Sequence, residues 1–208
     1  NIIDSTYNSL IKKQKVAGLS LAIVDNGKIV YAKGYGFEDK EQEIPATSKS
    51  IYRIGSVTKS FTAISILQLQ NEGKLSVNDE LNQHIEEFAI GFQKNEPHPI
   101  VLRQILAHTA GLPSDIMNGF FTENPPSMEW WIAQANQMKM SYKNGYTHSY
   151  SNLGYGLLGE VIERKSGMSY DDYVGESIFS PLNMTSSFVH PSEDRPTPLS
   201  YLGKTEID

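Results

Sequence analysis

Ser56 and Lys59 form a Ser-x-x-Lys pair, a spacing that can support nucleophilic catalysis. A serine hydroxyl becomes a nucleophile when a neighbouring base takes its proton, and the neutral amine of a lysine is one such base. Residues three apart on a helix share a face, which brings the amine within reach of the hydroxyl. The start of a helix also favours developing negative charge, and the Ser56 N–H can act as an oxyanion donor. The pair therefore predicts a serine nucleophile with a lysine general base.

The spacing alone is a weak signal, because a chain this rich in serine and lysine contains about 1.5 such pairs by chance. Ser9 and Lys12 form a second pair, on an amphipathic segment where the lysine would be solvated and protonated. Ser56 follows a short apolar run and Gly55, and it begins an apolar helical pattern. Context therefore favours Ser56 and Lys59.

Tyr150 and Asn152 form a second candidate motif, directly before an apolar, glycine-rich helical pattern. A phenol can pass a proton to a leaving group with help from a nearby ammonium, and an amide side chain can bind a substrate carbonyl. The alternative is a buried Tyr–Asn pair that only closes a loop. A similar triplet at residues 142–144 lies in a polar connection.

The N-terminal part of the chain predicts a helix and an antiparallel sheet. Residues 2–15 have an amphipathic helical period. The apolar runs Leu19–Val24 and Ile29–Phe37 flank an Asn-Gly pair that favours a tight hairpin turn. A polar loop over Asp39–Ser50 then leads to a short predicted strand at Ile51–Ile54.

The pattern after Ser56 predicts a mostly helical region. The first helix is expected to be buried around most of its circumference, because apolar residues recur along it at helical spacing. These residues are Val57, Phe61, Ile64 and Leu67, with Ala63, Ile66 and Leu69 on the flanks. Further helices are expected at residues 100–107, 127–138, 153–166 and 170–178.

We therefore expect one α/β domain over residues 1–208, an antiparallel sheet flanked by helices together with a mostly helical lobe. Residues 1–60 would form the N-terminal part of the sheet-containing lobe, and residues 61–208 would form the helical lobe.

The composition of the 208-residue chain excludes several functional classes. The chain has no cysteine, so zinc sites built on cysteine, iron–sulfur clusters and disulfides are excluded. No apolar run approaches the length of about 18 residues that spans a membrane. The net charge of −6 argues against a nucleic-acid partner. No metal site is expected, because the histidines at 84, 98, 108, 148 and 190 lack metal-ligand spacing.

Longer stretches around these motifs resemble the serine β-lactamase-like superfamily, especially class C β-lactamases, penicillin-binding D-alanyl-D-alanine peptidases and related esterases. The matching stretches are residues 16–20, 52–61, 106–113, 150–155 and 180–184. They occur in the family's order and extend over nearly the whole chain. The resemblance implies a β-lactamase/transpeptidase-like fold.

The resemblance also implies a role for each candidate residue. Ser56 would be the acylated nucleophile, Lys59 its general base and Tyr150 the proton shuttle. Asn152 would hold the amide of the acylated substrate, while the segment His108–Pro113 resembles a signature that is mainly structural.

The reaction implied by the resemblance is acyl transfer to serine from a β-lactam, an ester or a D-alanyl peptide of peptidoglycan, followed by hydrolysis. No metal or organic cofactor is implied. The resemblance places the protein outside the bacterial cytoplasm, as a secreted, periplasmic or envelope-associated protein.

The family's third motif, Lys or His followed by Thr or Ser and then Gly, has no acceptable match. Residues 165–167 have the right letters but the pattern of a helix end, and residues 204–206 lack the glycine. We therefore expect the family's remaining C-terminal strands to be absent from this chain. A truncated chain, a short homologue completed by a second chain or subunit, and a remnant without catalysis all stay open. The alternative function is a non-catalytic or slowly deacylating penicillin-binding sensor or scaffold.

Overall fold

The computed structural model describes residues 2–13, 15–93, 96–97, 99–116, 126–190, 200–202 and 205–207. The chain forms two compact units, one from Asn1–Gly55 with His190–Asp208 and one from Ser56–Val189. His98, one of the five histidines, and Lys204, of the triplet at residues 204–206, lie outside the described residues.

The first unit contains a helix and a three-stranded antiparallel sheet. Its elements are α1 (Ile2–Lys12), β1 (Gly18–Asp25), β2 (Lys28–Asp39) and β3 (Ile44–Pro45), with the strands in the order β1-β2-β3. Asn26 and Gly27 have φ of 49° and 74°, the left-handed values that a tight hairpin turn requires. The hairpin expected from the sequence is therefore confirmed. Two further short strands of this unit, Ser200–Leu202 and Thr205–Ile207, pair with each other.

The expected strand at Ile51–Ile54 is wrong, since those residues form no regular element. The polar loop supplies the third strand instead, and the Ala46 N–H donates to the Gly36 carbonyl at 2.9 Å. Gly34 permits this approach, because a Cβ at that position would lie 2.1 Å from the Ala46 carbonyl oxygen. With this edge of β2 occupied, Ile51–Ile54 has no strand to pair with there.

The second unit is mostly helical. Its elements are α2 (Thr58–Asn71), β4 (Gly91–Gln93), β5 (Glu96–Pro97), α3 (Leu102–Leu106), α4 (Met128–Gln137), α5 (Asn152–Ser166) and α6 (Tyr170–Val174). A 3₁₀ turn at Gly55–Val57 precedes α2, and a π-helical turn at Gly175–Phe179 follows α6. The helical segments expected from periodicity are confirmed to within a few residues. None of the helices in the described part of the chain is long and apolar enough to cross a membrane.

The core of the second unit is centred on α5. Its Leu157, Leu158, Val161 and Ile162 are at most 1% exposed and belong to one apolar cluster with residues of α2, α3 and α4. The Ser151 hydroxyl caps the start of α5 by accepting from the Gly154 N–H at 2.9 Å. Gly167, with φ of 73°, ends the helix in the left-handed conformation. Residues 165–167 are therefore a helix terminus, as the sequence pattern indicates.

Helix α2 is buried over less of its circumference than expected. Ile64 and Leu67 of the helix are 43% and 51% exposed, and Val57 of the preceding turn is 60% exposed. The buried residues are Thr62, Ser65, Ile66 and Leu69. Small and polar side chains are tolerated on this face because they make hydrogen bonds. Thr62 Oγ1 bonds the Tyr170 hydroxyl at 2.8 Å, and Ser65 Oγ donates to the Phe61 carbonyl at 2.9 Å.

Candidate active site

Ser56 and Lys59 lie at the start of α2. Ser56 is in the 3₁₀ turn that precedes the helix and is exposed, whereas Lys59 is half-buried in the first helical turn. Lys59 Nζ donates to Ser56 Oγ at 3.3 Å. The expected reach of the amine to the hydroxyl is therefore observed. The backbone N–H groups at this helix terminus also favour an anion beside Ser56.

Tyr150 approaches the same serine from the segment before α5. Its hydroxyl donates to Ser56 Oγ at 2.7 Å, across 94 residues of sequence. Lys59 Nζ lies 4.9 Å from the centroid of the Tyr150 ring. The pKa of Tyr150 is lowered, mainly by its hydrogen bond with Lys59 and to a smaller extent by the one with Ser56. A phenol in this setting exchanges its proton more readily than a free tyrosine.

Asn152 connects Lys59 to a carboxylate. The Asn152 Oδ1 accepts from Lys59 Nζ at 2.5 Å, and its Nδ2 donates to Asp115 Oδ1 at 2.8 Å. The two contacts fix which end of the amide faces the lysine. The structure thus brings together all four residues that the sequence singled out.

The loop segment Pro113–Asp115 holds the start of α5 through its backbone. Ser151 Oγ donates to the Pro113 carbonyl at 2.6 Å, and the Asn152 N–H donates to the Ser114 carbonyl at 2.8 Å. Ser114 Oγ also donates to Asp115 Oδ2 at 2.7 Å. Because these bonds flank Asn152, the loop and the helix terminus form one support for its side chain.

Two further residues at this site, Asp115 and His108, belong to neither of the two candidate motifs. Asp115 orients Asn152 but belongs to no short catalytic motif. His108 Nδ1 accepts from the Ser151 N–H at 3.1 Å, and its ring lies 4.3 Å from the Tyr150 ring. The sequence indicated His108 only through the resemblance of His108–Pro113 to a family signature, and that resemblance implied a structural role.

The alternative matches lie in other environments. Ser9 and Lys12 belong to α1 in the first unit, where Lys12 is exposed. Tyr142 is 45% exposed, and Asn144 Nδ2 donates to the Pro99 carbonyl. Within the described residues, no three histidine or carboxylate side chains converge to hold a metal ion.

Comparison with known proteins gives consistent matches. The family model described as Beta-lactamase matches residues 3–206. Protein flp of Staphylococcus aureus (strain MRSA252) is 34% identical over 184 residues, which cover 88% of this chain and 37% of that protein. Penicillin-binding protein 4* of Bacillus subtilis (strain 168) is 30% identical over 195 residues, which cover 90% of this chain and 41% of that protein. The chain thus spans less than half the length of the curated relatives it matches.

Solved structures match over almost the whole chain. The octameric penicillin-binding protein homologue from Pyrococcus abyssi superposes with a TM-score of 0.83 at 33% identity, covering 97% of this chain and 47% of that one. A class C beta-lactamase superposes with a TM-score of 0.83 at 25% identity, covering 99% of this chain and 55% of that one. The α/β fold with an antiparallel sheet and flanking helices is the one these proteins share.

Proposed function

This chain belongs to the beta-lactamase family, and on that premise we propose that it is part of a serine hydrolase that works through an acyl-enzyme on Ser56. The observation that carries the proposal is the convergence on Ser56 Oγ of two groups that can exchange protons with it, Lys59 Nζ at 3.3 Å and the Tyr150 hydroxyl at 2.7 Å. A hydroxyl with two proton-transfer partners is equipped both to lose its proton and to pass one onward.

In the proposed acylation step, the neutral amine of Lys59 takes the Ser56 proton as Oγ attacks the substrate carbonyl carbon. The carbonyl oxygen becomes an oxyanion beside the Ser56 N–H at the helix terminus. The Tyr150 phenol gives its proton to the leaving nitrogen or oxygen as that bond breaks, and it regains a proton from the Lys59 ammonium. The step leaves an ester on Ser56 and a neutral leaving group.

Asn152 is proposed to bind the amide of the acyl group. Its Nδ2 carries two hydrogens, of which one is donated to Asp115 and the other can bind a substrate carbonyl. Water then attacks the ester, and the same Lys59 and Tyr150 pair takes the proton of the water and returns one to Ser56. No cofactor takes part in the proposed cycle.

The proposed substrates are β-lactams, esters or D-alanyl peptides of peptidoglycan. The protein would encounter them as a secreted, periplasmic or envelope-associated protein. The names of the relatives, a penicillin-binding protein and a class C beta-lactamase among them, support this range. A sensor that is acylated and then deacylates very slowly is the alternative, because it requires the same four residues.

A polypeptide that covers the hairpin, either more of a longer chain or a second chain, belongs to the same proposal. Val24, Ile29 and Val30 of the hairpin are 62%, 69% and 60% exposed, and such an apolar patch is typical of a surface that another polypeptide covers. Sedimentation velocity tests whether the second chain is another copy of this one, since a purely monomeric boundary at all concentrations would contradict that form of the proposal.

Labelling with a fluorescent penicillin and turnover of a chromogenic ester, followed by intact mass, test the proposed chemistry. We expect a mass adduct on the parent chain that Ser56→Ala abolishes. Ser9→Ala, at the unrelated Ser-x-x-Lys pair, is the control and should label like the parent. A transient adduct with product indicates a hydrolase, and a stable adduct indicates a sensor. Equal labelling of Ser56→Ala and the parent would refute the assignment of the nucleophile.

A further inference from the structure

His108 contacts three consecutive residues around the Tyr150 phenol. Its backbone carbonyl accepts from the Ser149 N–H at 2.7 Å, and its Nδ1 accepts from the Ser151 N–H at 3.1 Å. Between these two bonds, the imidazole lies against the Tyr150 ring, with centroids 4.3 Å apart and planes 31° apart. We propose that His108 is a positioning residue that holds the Tyr150 hydroxyl in place for its hydrogen bond to Ser56 Oγ. This inference rests on the proposed function, in which Tyr150 protonates the leaving group.

The backbone conformation of His108 allows this one residue to contact the chain on both sides of Tyr150. His108 has φ of +55°, a left-handed conformation that is uncommon for a residue with a Cβ. It follows α3, and its own N–H still donates to the Ile105 carbonyl at 3.0 Å. The left-handed turn lets the carbonyl and the ring of one residue reach the same short segment. An uncommon backbone conformation held in place by the surrounding structure is often associated with function.

The hydrogen bond from Ser151 specifies the protonation state of the ring. A nitrogen that accepts a bond carries no hydrogen, so neutral His108 must hold its hydrogen on Nε2. The ionisable groups around it are Lys59, His148, Tyr150 and Tyr155. Burial, and then the charges of His148 and Lys59, lower the pKa of His108, which keeps Nδ1 free to accept.

The effect of His108 is separable from that of Asp115. Asn152 is held by its own bonds to the Ser114 carbonyl and to Asp115. Loss of the His108 side chain therefore loosens Tyr150 while the substrate-binding amide keeps its support. The predicted defect is in leaving-group protonation, so it should depend on the leaving group and should lower kcat more than it raises KM.

Two substitutions separate the effect of losing the His108 side chain from the effect of its left-handed backbone conformation. Glycine and asparagine both accept a left-handed φ, but only the Asn Oδ1 can replace the Nδ1 acceptor. His108→Gly therefore removes the bond to Ser151, and His108→Asn restores it without the ring. Asn183→Gly is the matched control, because Asn183 is exposed in the second unit with φ of 53°.

The first readout compares an alkyl ester, whose leaving group needs a proton, with a p-nitrophenyl ester, whose leaving group does not. We expect His108→Gly to slow the alkyl ester by at least about tenfold, a part of the roughly 10²–10⁴-fold that general acid catalysis contributes, and the p-nitrophenyl ester much less. His108→Asn should recover most of the loss, and Asn183→Gly should match the parent. Equal losses on both esters, or no recovery in His108→Asn, would overturn the inference.

The second readout needs no turnover, so it separates this inference from the proposed function. NMR of tyrosine labelled with ¹³C at Cζ, assigned with Tyr150→Phe, follows the ionisation of Tyr150. The lowered pKa of Tyr150 should return toward its ordinary value in His108→Gly and stay low in His108→Asn. If the parent is never acylated but this pattern holds, only the proposed function fails. An unchanged pKa of Tyr150 in His108→Gly would refute the positioning role.

A third measurement uses only the parent chain and remains decisive if His108→Gly does not fold. Imidazole ¹⁵N shifts distinguish the two neutral tautomers, and the bond from Ser151 requires the hydrogen on Nε2. A hydrogen on Nδ1 at neutral pH would exclude the proposed contact.

Discussion

Lys59 is the residue on which the contacts of the candidate site converge. Its Nζ donates to Ser56 and Asn152, and it lies within 4.9 and 5.5 Å of the ring centroids of Tyr150 and Tyr155. An amine held by two acceptors and two aromatic faces has little freedom to reorient. Its position therefore couples the Ser56 hydroxyl, the Tyr150 phenol and the Asn152 amide.

Removal of this amine should affect both chemistry and the ionisation of Tyr150. We expect Lys59→Ala to slow acylation by about 10²-fold or more, as for loss of a general base. The pKa of Tyr150 should rise in the same variant, because the hydrogen bond with Lys59 is the largest cause of its lowering. Penicillin labelling and tyrosine NMR measure the two effects. Lys12→Ala should leave both unchanged, and normal acylation of Lys59→Ala would contradict the proposed mechanism.

Asp115 should matter mainly for substrates that carry an acyl amide. Asp115→Ala removes the acceptor that orients Asn152, whereas Asp115→Asn keeps an acceptor oxygen in place. A lost hydrogen bond to a charged group corresponds to roughly a tenfold loss in kcat/KM for a penicillin. A simple ester without an amide should be affected much less. Similar losses on both substrates would assign Asp115 a different role.

Helix α5 connects the site to the core. Its apolar face anchors the second unit, and its N-terminal end presents Asn152 directly after the Ser151 cap. Ser151 is buried, and its hydroxyl both accepts from Gly154 and donates to Pro113. One side chain thus joins the helix terminus to the loop segment Pro113–Asp115.

Ser151→Ala should therefore cost both stability and activity. Loss of a cap and of a buried hydrogen bond corresponds to about 2 kcal/mol in the free energy of unfolding. Ser169→Ala is a matched control, since Ser169 caps α6 in the same way but is exposed. Urea unfolding and penicillin labelling of both variants test this. We expect Ser169→Ala to be less stable than the parent but to label normally. Equal labelling defects in the two variants would contradict a specific role of Ser151.

Two histidines of the second unit should make the stability of the molecule depend on pH. Burial, and then Lys165, lowers the pKa of His84, whose Nδ1 is buried without a hydrogen-bond partner among the described residues. Burial, and then His148 and Lys59, lowers the pKa of His108. Both imidazoles take up a proton more readily in the unfolded chain than in the folded one.

The free energy of unfolding should therefore fall as the pH drops below 6.5, the ordinary value for histidine. In this window the unfolded state binds more protons, so stability rises with pH. Below pH 4.5, the ordinary value for glutamate, protonation of Glu87 adds to the loss, because its hydrogen bond with Arg164 lowers its pKa. Urea unfolding between pH 7 and 5 measures the slope, and His84→Gln should flatten it. A slope unchanged by His84→Gln would contradict the contribution of His84.

Local patterns in the sequence were sufficient to predict the hairpin and the long helices. The Asn26-Gly27 turn and the apolar periods depend only on neighbouring residues, so they can be read without knowledge of the fold. Longer stretches identified the family and pointed to Ser56, Lys59, Tyr150 and Asn152. The roles proposed for these four residues remain predictions.

Tertiary packing decided the rest. Ile66 and Leu69 of α2 are buried while Ile64 and Leu67 are exposed, because the packing of the helix against α5 and α6 selects its inner face. The short strand at Ile44–Pro45 exists because β2 offers it an edge. Asp115 and His108 reach the site through contacts that span 37 and 43 residues of sequence. A pattern over neighbouring residues carries no information on such contacts, since only the folded chain brings these side chains together.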